Sequence, residues 1–439
     1  MRLTFKKGGI HPAENKTAST RIEMQPLPMT VCVPLSQHIG APAEPTARRG
    51  DKVERGQLIG RAAGTVSANV HAPISGTVAS VDNAVLADGR PGRVVIIKAD
   101  EESHAADTAA REEYWKKVAD SSFGDTSNDP HTPEELRDMI LGAGISGMGG
   151  ATFPTHVKLK TGAVKPDIMI INGCECEPYL MCDDALMRNY ALRVVQGSQL
   201  LARAAGAEKT IIAIEDNKPE AIDAMRKAAA AFDGMEVVAV KTKYPQGGEK
   251  QLIAAVTGRY VASGALPIST GVVVDNVATA FAVWQAVATS TPLIERVITV
   301  TGDIPAPERK NYLTATGTPL SELPFTLPEN AKAILGGPMM GRCAVNLDAP
   351  VTKGTSGLLL KSTGAKRTVY PCIRCGACVD VCPMGLEPYL LATYGRLHRW
   401  DDARQADVAD CLECGSCSYA CPSNRPILDF IRIAKKRSR

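Results

Sequence analysis

The chain has 439 residues and a formal net charge of +3, with 44% hydrophobic and 22% charged residues. That length predicts about three or four domains, the composition is that of a soluble globular protein, and the charge is too small to mark nucleic acid as the partner. No apolar run reaches the ~18 residues of a membrane span, and no signal-peptide core follows the basic start MRLTFKKGGIHPAENK, so the chain is expected to stay in the cytosol. Thiols are kept reduced there, so the thirteen cysteines point to metal or redox chemistry and not to a disulfide framework.

Residues 30–98 read as β-rich, with short apolar runs separated by Gly and Pro. GDKVERGQLIG with APISGTV resembles the barrel-sandwich domain of biotinyl and lipoyl carriers. Carriers place a cofactor-accepting lysine between those two elements. Here the segment is RAAGTVSANVH, without a lysine, which implies a scaffold of that fold over 1–98. Residues 99–131 are polar and acidic and read as a linker with a short helix.

From 132 to 293 the pattern is α/β. Thr132 as N-cap, Pro133 as first helical residue and Glu135 form a capping box for a helix that Gly142 ends. Strands are expected over 166–172, 209–216, 235–243 and 271–276, and helices over 219–232, 248–258 and 277–289. This alternation implies a largely parallel, Rossmann-like sheet. The stretch LGAGISGMGGATFPTHVKLK (141–160) contains a G-x-G-x-x-G from Gly142 to Gly147, but after a helix, so it is no dinucleotide fingerprint. A run so rich in glycine still lets a ligand lie against bare backbone. A helix starting near Thr155 would turn its positive end toward a phosphate. A plain turn-rich connection is the alternative.

Residues 294–345 return to short strands and read as a small β-grasp-like insert. The unit 346–439 holds two matching runs: Cys372, Cys375, Cys378 and Cys382 before Pro383, then Cys411, Cys414, Cys417 and Cys421 before Pro422. Thiolates suit zinc or iron–sulfur clusters. Zinc sites pair two CxxC units across a longer gap, whereas this spacing is that of bacterial [4Fe–4S] ferredoxins, in which the fourth cysteine of each run ligates the other cluster. Cys372, Cys375, Cys378 and Cys421 are thus expected on one cluster, and Cys382, Cys411, Cys414 and Cys417 on the second. Gly376 and Gly415 let backbone amides approach the sulfurs. The segment between the runs has helical periodicity. The tail RPILDFIRIAKKRSR reads as an amphipathic basic helix, either solvated or touching a membrane partner or lipid headgroups.

Several stretches together carry a family resemblance. GMGGATFPTHVK resembles the flavin-binding loop of the NADH-oxidising subunit of respiratory complex I, and INGCECEPY its Asn-x-Asp-Glu-x-Glu-Pro stretch. GGEKQLI and VVDNVAT match two further segments. Taken end to end, the chain resembles the C subunit of the Rnf ion-translocating electron-transport complex. The resemblance implies a multidomain α/β chain: a barrel-sandwich-like N-domain (1–98), a linker (99–131), a Rossmann-like FMN/NAD(H) domain (132–293), a β-grasp-like, SLBB-type domain (294–345) and an α-helical ferredoxin domain with two [4Fe–4S] clusters (346–439). It implies bound FMN, with Gly144, Gly147, Gly149, Gly150 and Ala151 in the flavin loop. Lys158 meets the flavin phosphate or ring, and Asn172 and Asn276 contact the flavin. Glu175 and Glu177 face the nicotinamide, Phe153 stacks on the dinucleotide, and Glu249 lies near the nucleotide. Cys174 replaces the family's Asp, which puts that residue's polar contacts in doubt. Cys174, Cys176 and Cys182 are read as local packing in preference to a third metal site.

The implied activity is hydride exchange between NAD(H) and FMN, with single electrons passing through the two clusters to or from membrane subunits and a ferredoxin-like subunit. Hydride transfer calls for no acid–base triad, and His71 and His156 read as structural. The chain is expected at the cytoplasmic face of the cell membrane as a peripheral subunit. A soluble hydrogenase or formate dehydrogenase subunit and a flavin-free relay are the competing readings.

Overall fold

The computed structural model describes residues 3–364 and 367–438. The α/β unit rests on four parallel strands in the order Met235–Val240, Lys209–Glu215, Ile168–Gly173, Val272–Asn276. Strands such as IMIING and VVVDN are apolar almost throughout because a parallel sheet is covered on both faces. Met169 and Ile171 enter the larger core, under the helices Ala191–Ala205, Pro219–Ala229 and Val277–Thr289, while Ile170 enters a second core with Leu252 and Ile253 of the helix Glu249–Thr257. The capping box at Thr132 forms as expected, on the helix Pro133–Gly142.

The segment 99–131 is more than a linker with a short helix. Glu101–Ala119 is a helix of 19 residues that buries Asp107, Arg111, Trp115 and Val118. Half of its inward face is polar, which hides the burial from an apolar pattern. Arg111 donates to the Glu295 carboxylate and to the carbonyls of Gln25 and Leu313. Burial works against the Glu295 charge, but Arg55 and Arg111 hold its carboxyl below the ordinary range. The helices Cys182–Asn189 and Ala191–Ala205 also go beyond the elements read from sequence.

The N-terminal unit has a four-stranded sheet (Thr30–Pro34, Pro91–Lys98, Gly76–Val85, Lys52–Val53) and a three-stranded one (Glu44–Pro45, Leu58–Arg61, Val70–His71). Val31, Val33, Ile59, Val70, Val95 and Ile97 form their shared core. A third unit is a six-stranded sheet in which Glu295–Gly302 pairs antiparallel with Lys310–Ala315 and parallel with Gly357–Ser362. It runs past the expected end at 345 and recruits Ile22–Met24 as an edge strand.

The cysteine-rich unit repeats its backbone. Arg374, Gly376 and Gly385 have φ of 56°, 80° and 69°, and the matching Glu413, Gly415 and Asn424 have 57°, 78° and 51°. Two coils of one shape are thereby presented. The final helix Ile427–Arg437 turns Ile427, Leu428, Ile431 and Ala434 into this unit, and its Lys435 Nζ donates to the Cys411 carbonyl at 2.6 Å. Among the described residues, no helix is long and apolar enough to cross a membrane.

Candidate functional site

From Ile168–Gly173 the sheet grows one way to Lys209–Glu215 and the other way to Val272–Asn276. Where neighbouring strands part like this, a crevice opens at their carboxyl ends, the usual ligand position in open α/β sheets. Asn172 and Asn276 stand opposite each other there. Asn276 caps the helix Val277–Thr289 by accepting from Ala278 N at 2.8 Å, and its Nδ2 donates to Asp183 Oδ2 at 2.8 Å. Asn172 Nδ2 donates to the Gly247 carbonyl at 2.8 Å.

The glycine loop forms one lip of this crevice. Gly147 N donates to the Phe153 carbonyl and Met148 N to Thr279 Oγ1, which leaves Gly149, Gly150 and Ala151 as an exposed crown and Phe153 half-buried beneath it. A Cβ on Gly149 would lie 2.9 Å from Asn276 Cβ, so glycine is needed for this approach. The helix beyond the loop is the single turn Thr155–Lys158, too short to aim a dipole. The cationic group is instead Lys158, whose Nζ donates to Glu249 Oε1 at 3.2 Å and to the Val274 carbonyl at 2.9 Å. Burial disfavours the ammonium, but Glu249 and Asp275 hold its pKa above the ordinary value. Gly149, Lys158, Asn172, Glu249 and Asn276 thus converge on one crevice.

Gly144 lies outside it, against the N-terminal unit: a Cβ would meet the Asn69 carbonyl at 2.3 Å. The buried Lys353 Nζ joins the carbonyls of Asn69 and Gly144, at 2.6 and 2.7 Å, and burial brings its pKa down to about 7. The hairpin that carries the modified lysine in carrier proteins here braces the glycine loop.

Glu175 and Glu177 spend their carboxylates on backbone. Glu175 accepts from Asp183 N and Asp184 N at the start of Cys182–Asn189. Glu177 accepts from Met339 N and Met340 N, and burial raises its carboxyl to about 7. Two lysines not singled out in the sequence fix the same turn. Lys16 Nζ donates to the carbonyls of Glu175, Glu177 and Leu180, and the fully buried Lys218 donates to that of Cys174. Asp183 was also missed, and its only signal was the acidic pair after Cys182. Cys174, Cys176 and Cys182 do not converge. Among the described residues, the one trio of potential ligand atoms all within 4.8 Å of one another is Glu175, Cys182 and Asp183. Backbone amides, Asn276 and the adjacent Arg296 cation already engage it. His71 and His156 are buried, and burial lowers them to about 3 and about 4.

The cysteine runs cross over. Burial, then Cys414, Cys411 and Cys382, push the Cys417 thiol up to about 12. Cys382 thus lies with the second run. Burial, then Cys421 and Cys372, raise Cys378, so Cys421 lies with the first. Cys382, Cys411, Cys414 and Cys417 line one pocket, walled by Leu386, Leu391, Leu428 and Ile431. A tetrahedral zinc with bonds of ~2.3 Å would draw its sulfurs to roughly 3.8 Å apart. Among the described residues no three sulfurs lie within 4.8 Å of one another, so the donor set fits a larger inorganic core than a single ion.

This inner set is pressed against the α/β unit. Tyr244, 2% exposed, donates its hydroxyl to the Cys414 carbonyl at 2.7 Å. Gly8 packs on Cys382 and Pro383, Gly9 N donates to the Val381 carbonyl, and Ile10 and Tyr244 exchange both backbone hydrogen bonds. Cys176, Leu412 and Met339 pack around Tyr244 and Cys414. The outer set is open: Cys372 and Cys375 are exposed.

Comparison with known proteins accords with this layout. Residues 3–102 match the RnfC barrel sandwich hybrid domain, 140–285 the Nuo51 FMN-binding domain and 371–425 a 4Fe-4S dicluster domain. A Clostridium ljungdahlii protein, named as the C subunit of a proton-translocating ferredoxin:NAD(+) oxidoreductase complex, is 41% identical over 445 residues, covering 99% of this chain and 94% of that one. An Acetobacterium woodii protein, named as the C subunit of a Na(+)-translocating ferredoxin:NAD(+) oxidoreductase complex, is 43% identical over 454 residues, covering 99% and 96%. The C subunit of an ion-translocating oxidoreductase complex of Rhodobacter capsulatus is 43% identical over 410 residues, covering 90% and 75%. Among solved structures, an NAD+-reducing [NiFe]-hydrogenase in the H2-reduced state shares the fold, with a TM-score of 0.51 at 19% identity over 83% of this chain and 77% of that one.

Proposed function

Since the chain belongs to the family of C subunits of ion-translocating ferredoxin:NAD(+) oxidoreductase complexes, we propose that it is the subunit at which such a complex exchanges electrons with NAD(H). FMN is assigned to the crevice between Asn172 and Asn276. One [4Fe–4S] cluster is assigned to Cys382, Cys411, Cys414 and Cys417, and a second to Cys372, Cys375, Cys378 and Cys421. The fit of the flavin rests on the bare backbone of Gly149 and Gly247 at the two lips and on the Lys158 cation. That of the inner cluster rests on the four thiols around one cavity. When bound, a flavin supplies two-electron exchange with a nicotinamide and one-electron exchange with iron–sulfur centres.

The residues divide the remaining work. Lys158 offsets a phosphate charge with its position fixed by Glu249 and Val274. Asn276 ties the strand ends together by donating to the Asn172 carbonyl at 3.4 Å and is itself held by Asp183, while Asn172 holds the Gly247 carbonyl. Gly144, Gly147, Gly150 and Ala151 shape the loop, and Phe153 supports its crown on the nucleotide side. Glu175 and Glu177 act by holding the 175–184 turn and the 337–341 loop beside the nicotinamide position. The parallel centre of the six-stranded sheet, with antiparallel neighbours, supports a β-grasp-like reading of the third unit. The proposed domain limits follow the sequence reading, with the third unit extended to 362 and 101–119 a packed helix. The chain works as a peripheral subunit at the cytoplasmic face, docked on membrane subunits and a ferredoxin-like subunit.

The observation that carries this reading is the seam. Tyr244 holds Cys414 of the inner set, and the same turn carries Gly247, which is bonded to Asn172 in the crevice. The order crevice, inner set, outer set follows. Anaerobically reconstituted protein tests it by iron and flavin analysis and by low-temperature EPR after NADH addition. Two clusters and one FMN, with flavin bleaching followed by cluster signals, are expected. Bound zinc, a single cluster, or a spectrum unmoved by NADH overturns it.

A further inference from the structure

The basic final helix is a motif of the sequence that the proposed function leaves unused. Its apolar side is spent on the cysteine-rich unit, and its cations divide into two groups. Lys436 and Arg437 are exposed, whereas Arg432 and Lys435 are half-buried against the second cysteine run. Lys435 Nζ donates to the Cys411 carbonyl and lies 3.6 Å from Glu413 Oε1, while Arg432 Nε donates to Glu413 Oε2 at 3.1 Å. The repeat supplies a comparison inside the molecule. Cys411 matches Cys372, and at the same offset Glu413 matches Arg374 and Lys435 matches Arg396. Arg396 is exposed and, among the described residues, no hydrogen bond joins it to Cys372. The second run alone thus receives a cation on the backbone of its first ligand.

The difference falls on the set that needs it. One-electron reduction adds one negative charge to an iron–sulfur centre, with no bond made or broken. At the outer set Cys372 and Cys375 are exposed, so water meets that charge. At the inner set no side chain lining the pocket is charged, and desolvation opposes it. Burial pushes the Cys411 thiol up to about 11, and the Glu413 amide and Lys435 work against that rise. We propose that Lys435, acting through Cys411, raises the midpoint potential of the inner [4Fe–4S] cluster, so that a centre held away from water stays reducible. This inference rests on the proposed assignment of that cluster, and it gives the final helix a redox task that needs no lipid. The neighbouring charges leave the sign unchanged. Glu413 is matched by Arg432, and Asp410 faces Lys250 at 3.8 Å, which leaves the Lys435 charge in excess. Asp380, Glu387 and Asp407 are exposed, where water and salt screen them.

The test is an EPR-monitored redox titration of the anaerobically reconstituted holoprotein. It compares wild type with Lys435→Met, Lys435→Arg, Glu413→Gln and, as an exposed control on the same helix, Lys436→Met. The Cys421→Ser variant tells the two cluster signals apart. In Lys435→Met the reduced-to-oxidised ratio of the inner cluster at fixed potential should fall about ten-fold, which is ~59 mV for one electron, with the outer cluster unmoved. Lys435→Arg and Lys436→Met should keep the wild-type midpoints. Glu413→Gln removes an anion and leaves Lys435, so the inner midpoint should move the opposite way, a change of sign that a purely structural role does not give. An inner midpoint unmoved or raised in Lys435→Met, equal shifts in both clusters, or the same shift in Lys436→Met overturns the proposal. If Lys435→Met loses iron, the sign of the shift in Glu413→Gln decides. Wild type that holds zinc or lacks the inner cluster refutes the proposed function instead.

Discussion

Replacing Tyr244 by Phe removes one hydroxyl at the seam between the α/β and cysteine-rich units. The ring keeps its packing on Ile10, Cys176, Met339 and Leu412, and the backbone pairing with Ile10 is untouched. Burial holds the phenol well above its ordinary pKa, so it remains a donor across the working pH range and its loss is felt at every pH. What disappears is a 2.7 Å hydrogen bond to the Cys414 carbonyl. That acceptor is left without this partner at a site with almost no solvent, at a cost of about 1–3 kcal/mol. By the same amount the seam should open more readily, a roughly 5- to 150-fold rise in amide exchange over 411–417 and 8–10 at unchanged exchange in the N-terminal unit. Potentiometric EPR should show a shifted midpoint for the cluster at the inner set alone, since the perturbed backbone belongs to one of its ligands. Unchanged exchange across the seam, or equal shifts in both clusters, would refute the reasoning.

Cys382→Ser should abolish the cluster of the second run and Cys421→Ser that of the first, the reverse of their sequence order; EPR of each variant shows which signal is lost, and loss of the cluster of the same run contradicts the crossed pairing. Gly149→Ala should weaken FMN retention about ten-fold, roughly 1.4 kcal/mol, because the new methyl meets Asn276 at 2.9 Å; fluorescence titration of released flavin checks this, and wild-type affinity argues against the crevice. Burial, then Glu175, raise the Asp183 carboxyl from 3.8 to about 7. The native state therefore binds more protons than the unfolded one between those values, and stability from this group falls as pH climbs through that window, by at most about 1.4 kcal/mol per pH unit. Asp183→Asn should flatten the decline of Tm between pH 5 and 7, and an unaltered slope counts against the burial argument. Arg111→Met should cost about 3–5 kcal/mol by leaving Glu295 with Arg55 and Trp115 alone, read as a lower denaturant midpoint; a change under 1 kcal/mol removes Arg111 from the frame.

What the sequence disclosed was local. The glycine-rich run and the eight cysteines of the paired runs carry their signal in spacing, the two asparagines only in the family resemblance; the structure sets Gly149 against Asn276 but Gly144 against Asn69. What it concealed depends on partners far along the chain. Lys16 acts on carbonyls at 175–180 and Tyr244 on Cys414, and no short window holds both members of such a pair. The helix Glu101–Ala119 was obscured for another reason: its buried Asp107 and Arg111 are matched by Ser75 and Glu295, so its inward side lacks an apolar stripe. Glu175 and Glu177 were legible as a motif, while their engagement by backbone amides was not.

The contacts of Leu3, Gly9 and Ile10 also bear on biosynthesis. Leu3 accepts from Lys241, Ile10 pairs with Tyr244, and Gly9 donates to Val381. Residues 3–10 are thus seated against residues made much later. This segment must wait, unpaired, until the cysteine-rich unit has been made, and a bulky side chain introduced at Gly8 or Gly9 would be felt at the iron–sulfur unit of the molecule.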